Sequence, residues 1–245
     1  MGRSLVVMQP TFLPWAGYFN LMAQAHDFVF LDDVQLEKQS WQTRNRLVVG
    51  GEVRWVVVPV RNTHLAQTIR ETEVLHGTHW REKFARGFVI NYGRHPHFAD
   101  AQQIVQALLA CDALDLATFN ECMIRFIAER LGLAPCLHRA SGLQVEGLRS
   151  ARLAGMCRHF QAHEYLSPVG SADYLAEDCF EELSPVPLRF QAYAPGPYPQ
   201  KGCSGFHSHL SIVDVVANVG WHQARGYVET GRVDAPATSP DWTHT

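Results

Sequence analysis

Apolar and β-branched residues gather in short runs at 4–8 (SLVVM) and 27–31 (DFVFL), each ending in turn-forming or acidic residues. Runs of this length predict strands. The amphipathic stretch 17–25 between them leaves room for one helix, so the three segments predict a βαβ unit with parallel strands. Residues 45–60, NRLVVGGEVRWVVVPV, place Gly-Gly between two β-rich runs and predict a hairpin closed by a two-residue turn. A further strand is expected at 68–75.

The middle of the chain changes period. HWREKFARGFVINYG, residues 98–110 and residues 114–131 repeat apolar positions every three to four residues, which predicts three amphipathic helices. Gly132 and Pro135 end the last of them. From 136 the alternation returns: strand 136–140, helix 149–161, strand 163–167, helix 170–177, strand 187–193, then a Pro/Gly-rich loop and a final helix at 210–219. The chain thus divides into 1–78, the first part of an α/β domain with a hairpin insertion; 79–133, a helical insertion; 134–232, the rest of the α/β domain; and 233–245, a polar tail. The fold class is α/β, a Rossmann-like parallel sheet with an inserted β-hairpin and helical segment. The helical insertion is expected to cover one edge of the ligand pocket or to mediate self-association, which leaves a homo-oligomer open.

Composition narrows the function classes. A hydrophobic fraction of 47% and a charged fraction of 18% over 245 residues suit a folded domain with a large core. A net charge of -3 without a long basic run speaks against DNA binding. The apolar start MGRSLVVMQP is too short for a signal peptide, and nothing approaches a membrane span, so a cytoplasmic protein without stable membrane insertion is expected. The six cysteines are scattered without a C-x-x-C pair, as reduced thiols would be. No H-E-x-x-H, G-x-S-x-G, P-loop or G-x-G-x-x-G occurs, and no built-in metal site is expected.

Ligands of open parallel sheets bind beyond the carboxyl ends of the strands, and the segments landing there carry the polar clusters. In QPTFLPWAGYF, Gly17 lets a helix start approach the strand end, and Gln9, Trp15 and Tyr18 offer hydrogen bonds and stacking faces. In DDVQLEKQSWQTRNR, Asp32 and Asp33 suit sugar hydroxyls or a divalent ion. Gln35 and Asn45 add amides there, and Lys38, Arg44 and Arg46 supply charge for a phosphate. Arg149 and Arg152 flank Ser150 at a helix start, where basic residues are unfavourable unless an anion is present. Segments 9–18, 32–46 and 149–152 are expected to converge on one pocket. The loop 194–211 carries Tyr198, Gln200, His207, His209 and Ser211. It is expected to close over substrate, with His207 or His209 as the general base.

Three stretches, MQPTFLPWAGYFNLM…DFVFLDDVQLEKQSWQTRNRL, EYLSPVGSADYL and YPQKGCSGFHSHLSIVDVVANVG, together resemble the WbqC-like family. The shared pattern is a Q-P-x-[FY] turn with G-Y-F, D-D-V-Q followed by N-R, Y-L-S, and a late L-S-I-x-D; Pro168 stands where the pattern has glycine. The resemblance implies a place in bacterial surface-polysaccharide (O-antigen) biosynthesis. A wider likeness is to nucleotidylyltransferase folds with an H-x-G-H turn, where Trp15 and Tyr18 would replace both histidines and so remove the usual apparatus for adenylyl transfer. The leading expectation is a transferase acting on a nucleotide-activated amino sugar by acyl or aminoacyl transfer, with Asp33, His207 and His209 as catalytic candidates and Ser167 among the substrate contacts. The alternatives are ATP/Mg²⁺-dependent nucleotidyl transfer or acyl-adenylate formation, and a non-catalytic nucleotide- or carbohydrate-binding protein. No motif identifies a cofactor, although Mg²⁺ is a candidate.

Overall fold

The computed structural model describes residues 2–61, 64 and 66–233; the tail expected at 233–245 lies, Val233 apart, outside them. In chain order the elements are β1 (Ser4–Met8), α1 (Ala16–Gln24), β2 (Asp27–Phe30), β3 (Arg44–Val49), β4 (Glu52–Val57), β5 (Val60–Arg61), β6 (Glu73–Val74), α2 (Trp80–Tyr92), α3 (Phe98–Ala110), α4 (Leu116–Arg130), β7 (Cys136–Arg139), α5 (Arg149–His159), β8 (Glu164–Ser167), α6 (Ala172–Glu177), α7 (Phe180–Leu183), β9 (Leu188–Phe190) and α8 (Ile212–Thr230).

Five strands form one parallel sheet in the order β7-β2-β1-β8-β9. Counting only these strands along the chain, the order is 3-2-1-4-5, that of a doubly wound Rossmann-type sheet. The winding reverses between β1 and β8, and a crevice opens there beyond the carboxyl ends of the strands. The strands alternate side chains between two cores. Val6, Phe28 and Phe30 face one, with α1, α4 and α8. Leu5, Val7 and Val29 face the other, with Leu153, Met156 and Cys157 of α5 and Phe180 of α7.

The helical segment 79–133 shares the first of these cores. Trp80, Phe88, Ile104 and Phe119 are buried together with Val6 and Phe28. Phe12, fully buried, meets Trp80 and Phe84 edge-on and stacks on Phe119. Such pairs add about 0.5–1.5 kcal/mol each beyond the area they bury, and they tie the turn after β1 to these helices.

The hairpin β3–β4 turns through Gly50 and Gly51, at φ 64° and 83°, the paired left-handed conformation that two-residue hairpin turns require. Three expected elements differ. Only Glu73–Val74 of the stretch 68–75 is a strand, paired with Val60–Arg61. The expected strand 187–193 is confined to Leu188–Phe190. The last helix runs to Thr230 rather than 219, through a break at Gly220 (φ 74°, ψ 170°). Gly220 resembles a helix terminator in sequence, but beyond it Ala224, Tyr227 and Val228 restore a buried face and the helix resumes.

Candidate functional site

The turn 9–14 after β1 is held from several sides. Asn120 of α4 donates to the carbonyls of Pro10 (3.0 Å) and Gln42 (2.8 Å), and Asn45 of β3 donates to those of Phe12 (3.0 Å) and Leu13 (2.9 Å). The Ser211 hydroxyl donates to Leu13 O at 2.8 Å, and Ile212 N–H to Pro14 O at 2.9 Å. These bonds hold Leu13 at φ 42°, a conformation that costs a non-glycine residue about 1–3 kcal/mol and persists only where its surroundings enforce it.

Trp15 caps α1 without a side-chain bond to the helix, and its indole folds over the first turn. A Cβ on Gly17 would lie 2.2 Å from the ring, so glycine there is what admits the indole. The ring is tilted against His209 at 4.4 Å and meets Tyr193 edge-on at 5.6 Å. Tyr18 donates to the Gln9 carbonyl at 3.2 Å. Burial, reinforced by the charge of Glu121, raises its phenol well above the ordinary value, so it remains a donor at neutral pH.

These residues line a cavity of about 420 Å³ at the switch point of the sheet. Val7, Met8 and Gln9 enter from β1, Leu31 from the end of β2, and Pro168, Ser171 and Tyr174 from the segment after β8. Trp41, Gln42 and Asn45 form one wall, and Trp15, Tyr18 and His209 another. Gln42 donates to the Gln9 side-chain oxygen, while its own Oε1 is buried without a partner among the described residues. His209 holds its ring through Nδ1 and the Ser208 hydroxyl at 2.8 Å. Its pKa is lowered, first by burial and then by the Arg46 charge, which favours the neutral imidazole a general base needs.

The cavity therefore brings together Gln9, Trp15, Tyr18, Asn45 and His209. Ser211 stands behind Trp15, and Ser167 is buried at the end of β8. Arg46 reaches the His209 carbonyl at 3.1 Å and, like Arg44, forms no ion pair among the described residues. Lys38 and Gln35 lie on the exposed loop before the wall.

Asp33 and Arg152 do meet, but as a two-pronged ion pair at 2.8 and 2.6 Å. Asp32 is buried and accepts Ser141 N–H at 2.9 Å and its hydroxyl at 2.5 Å. Ser150 and Arg149 bond Asp178 at 2.7 and 3.0 Å, so the anion expected at this helix start is a carboxylate of the chain itself. Nor do these acids suit Mg²⁺ as they stand, because Arg152 takes both Asp33 oxygens and Ser141 both of Asp32.

His207 is exposed and does not line the cavity; its N–H donates to Gln200 Oε1 at 2.8 Å. Gln200 in turn donates to Tyr198, which is buried. These residues organise the loop around the buried Asp214 of α8, whose carboxyl burial pushes up to about 7. Among the described residues, the group offering metal-ligand atoms within 4.8 Å is His26, Asp27 and Cys136. It lies at the amino ends of β2 and β7, where Asp27 already pairs with Arg3 at 2.5 Å.

Sequence reasoning missed Gln42, Thr11, Ser171, Tyr174 and Asn120. Gln42 and Thr11 sit in segments already expected at the strand ends, and Ser171 and Tyr174 in the stretch EYLSPVGSADYL. Asn120 carried its own signal, a polar residue on the apolar stripe of α4.

Fold and site together define an α/β protein with a ligand crevice at the switch point of a doubly wound sheet. The chain belongs to the WbqC-like protein family, whose model matches residues 9–226, so the match spans both walls of the cavity. It is 31% identical over 220 residues to the uncharacterized protein Rv1507c of Mycobacterium tuberculosis, covering 89% of this chain and 94% of that one. No solved structure matches the chain significantly. The family carries an association with polysaccharide biosynthesis. No helix among the described residues is long and apolar enough to cross a membrane.

Proposed function

We propose that this chain is a transferase that modifies a nucleotide-activated amino sugar, by acyl or aminoacyl transfer, in the switch-point cavity. The observation that carries the reading is the cavity's construction. Aromatic faces (Trp15, Trp41, Tyr174), amides (Gln9, Gln42) and a neutral histidine converge at the place where Rossmann-type sheets bind nucleotides. Arg46, which bonds the carbonyl of the cavity residue His209 at 3.1 Å, is the cation this reading assigns to the phosphate oxygens. Gln9, with the unpartnered Gln42 Oε1, suits an amide- or hydroxyl-rich ligand.

In the proposed reaction His209 accepts the proton of the sugar amine or hydroxyl as the nitrogen or oxygen bonds to the acyl carbon. The acyl carrier leaves with the bonding electrons and takes up a proton as its conjugate acid. Asp33, paired with Arg152, acts in this scheme by fixing the segment after β2. The ATP-dependent alternative is less favoured because the paired acids after β2 are engaged by Arg152 and Ser141.

Calorimetric titration with a panel of nucleotide sugars and free nucleotides, with and without Mg²⁺, tests the reading. Nucleotide sugars binding more tightly than their parent nucleotides is the expected result. Release of pyrophosphate from ATP in the presence of an acyl acid would instead favour the adenylating reading.

A further inference from the structure

We propose that the outward face of the β3–β4 hairpin is a platform for an acidic oligosaccharide, a glycan bearing carboxylate or phosphate groups. Its end would reach the cavity as the acceptor, a role that rests on the transferase reading.

The hairpin alternates. Asn45 and Leu47 point inward and are buried, while Arg44, Arg46, Trp55 and Val57 share the other face. Trp55 and Trp41 are 44% and 45% exposed, far more than indole rings usually are. Their centroids are 5.2 Å apart at an interplanar angle of 55°, so the pair forms an open wedge rather than a closed stack. The Arg44 guanidinium lies 4.1 Å over Trp55, and that of Arg46 lies 5.7 Å from Trp41 and 6.0 Å from Trp55.

Neither arginine has a carboxylate partner among the described residues, and the Nε of each is buried without a hydrogen bond. Stacking on the rings pre-orients the guanidinium planes. Arg46 spends Nη2 on the His209 carbonyl at 3.1 Å and Arg44 Nη1 meets Gln39 Oε1 at 3.5 Å, so each arginine keeps one terminal nitrogen for an anion. Trp41 also lines the cavity, so platform and cavity are continuous.

A pyranose ring presents a flat C–H face to an indole and carries its hydroxyls and acid at the edge, which matches exposed rings bordered by arginines. A nucleic-acid strand needs a continuing track of cations along its backbone. Here the next arginine on β4, Arg54, stands opposite Leu47 and so on the other face of the hairpin, and it is paired with Glu52 at 2.7 Å.

The test is a titration of the full chain with tetragalacturonate, neutral cellotetraose and a short oligothymidylate, read by tryptophan fluorescence and calorimetry. It is repeated on Trp55→Ala and Arg44→Gln, with the thermal midpoint of each variant. Tetragalacturonate should bind the wild type more tightly than cellotetraose does. It should weaken about fivefold or more in each variant, at an unchanged midpoint for Arg44→Gln even if Trp55→Ala is less stable. Equal binding by Arg44→Gln and the wild type, equal affinity for cellotetraose, or tighter binding of the oligothymidylate would overturn the proposal. Nucleotide-sugar titrations on the same samples keep the two readings apart. Tetragalacturonate binding without nucleotide-sugar binding leaves the platform and removes the transferase reading, and the converse removes the platform alone.

Discussion

Replacing Asp214 by Asn should stabilise the protein increasingly as pH rises. Asp214 is fully buried in the first turn of α8, with Asn218 (3.2 Å) and Tyr198 as its polar partners and no cation beside it among the described residues. Burial lifts its carboxyl from the ordinary 3.8 to about 7. The helix start favours the ionised form by only about 0.3–1 kcal/mol, so desolvation wins. Between about pH 4 and 7 the folded state holds a proton that the unfolded chain has released, and stability therefore falls with rising pH across that window. Each pH unit is worth about 1.4 kcal/mol. From pH 5 to pH 8 the wild type should lose about 3 kcal/mol through this one group, most of it by pH 7. The Asn variant should not. Its new NH₂ must find an acceptor at every pH, so the absolute offset is less informative than the change. The assay is urea unfolding of both proteins at pH 5, 6, 7 and 8, with the difference in unfolding free energy plotted against pH. A difference that is flat across the range, or that grows toward pH 5, would mean that Asp214 is not protonated in the folded state between about pH 4 and 7.

Gly17→Ala should disturb the site more than the fold: alanine is the better helix former by about 1 kcal/mol, yet its Cβ must displace the Trp15 indole. Ligand affinity should fall about tenfold or more while the thermal midpoint changes little, and retained affinity would show that the indole position is immaterial. Asn45→Ala removes the donor to two buried carbonyls and should cost about 2–3 kcal/mol in denaturant unfolding; a loss near zero would mean the turn 9–14 is held without it. If His209 is the base, its neutral form is active and activity should persist below the ordinary histidine range before falling as the ring protonates. Arg46→Gln should move that acid limb to higher pH in kcat/KM, and an unmoved limb would separate Arg46 from the titrating group.

Much of the fold was legible because period and punctuation agreed. Leu5, Val6 and Val7 alternate cleanly between two cores, and Gly50-Gly51 can close only a tight hairpin. The continuation of α8 past Gly220 was not legible, since a glycine after an apolar run reads as a terminator until the second buried stripe is matched to the sheet. At the site, the turn residues and His209 could be read because strand ends concentrate chemistry. What the sequence concealed was pairing. Arg152 with Asp33, and Ser150 with Asp178, are 119 and 28 residues apart, so groups that look available for a phosphate are engaged by the chain's own acids. Arg44 and Arg46, whose neighbours are rings rather than carboxylates, keep their charge available.

On the transferase reading, the switch-point cavity binds the nucleotide-activated sugar. The most direct test of this is the Kd of the best nucleotide sugar for the wild type, for Trp15→Leu in the cavity wall, and for Cys136→Ser at the opposite end of the sheet. Trp15→Leu should weaken binding at least about tenfold, as loss of a stacking face in a desolvated pocket does, while Cys136→Ser should bind as the wild type. Undiminished binding by Trp15→Leu, or no binding of any nucleotide sugar by the wild type, would contradict it.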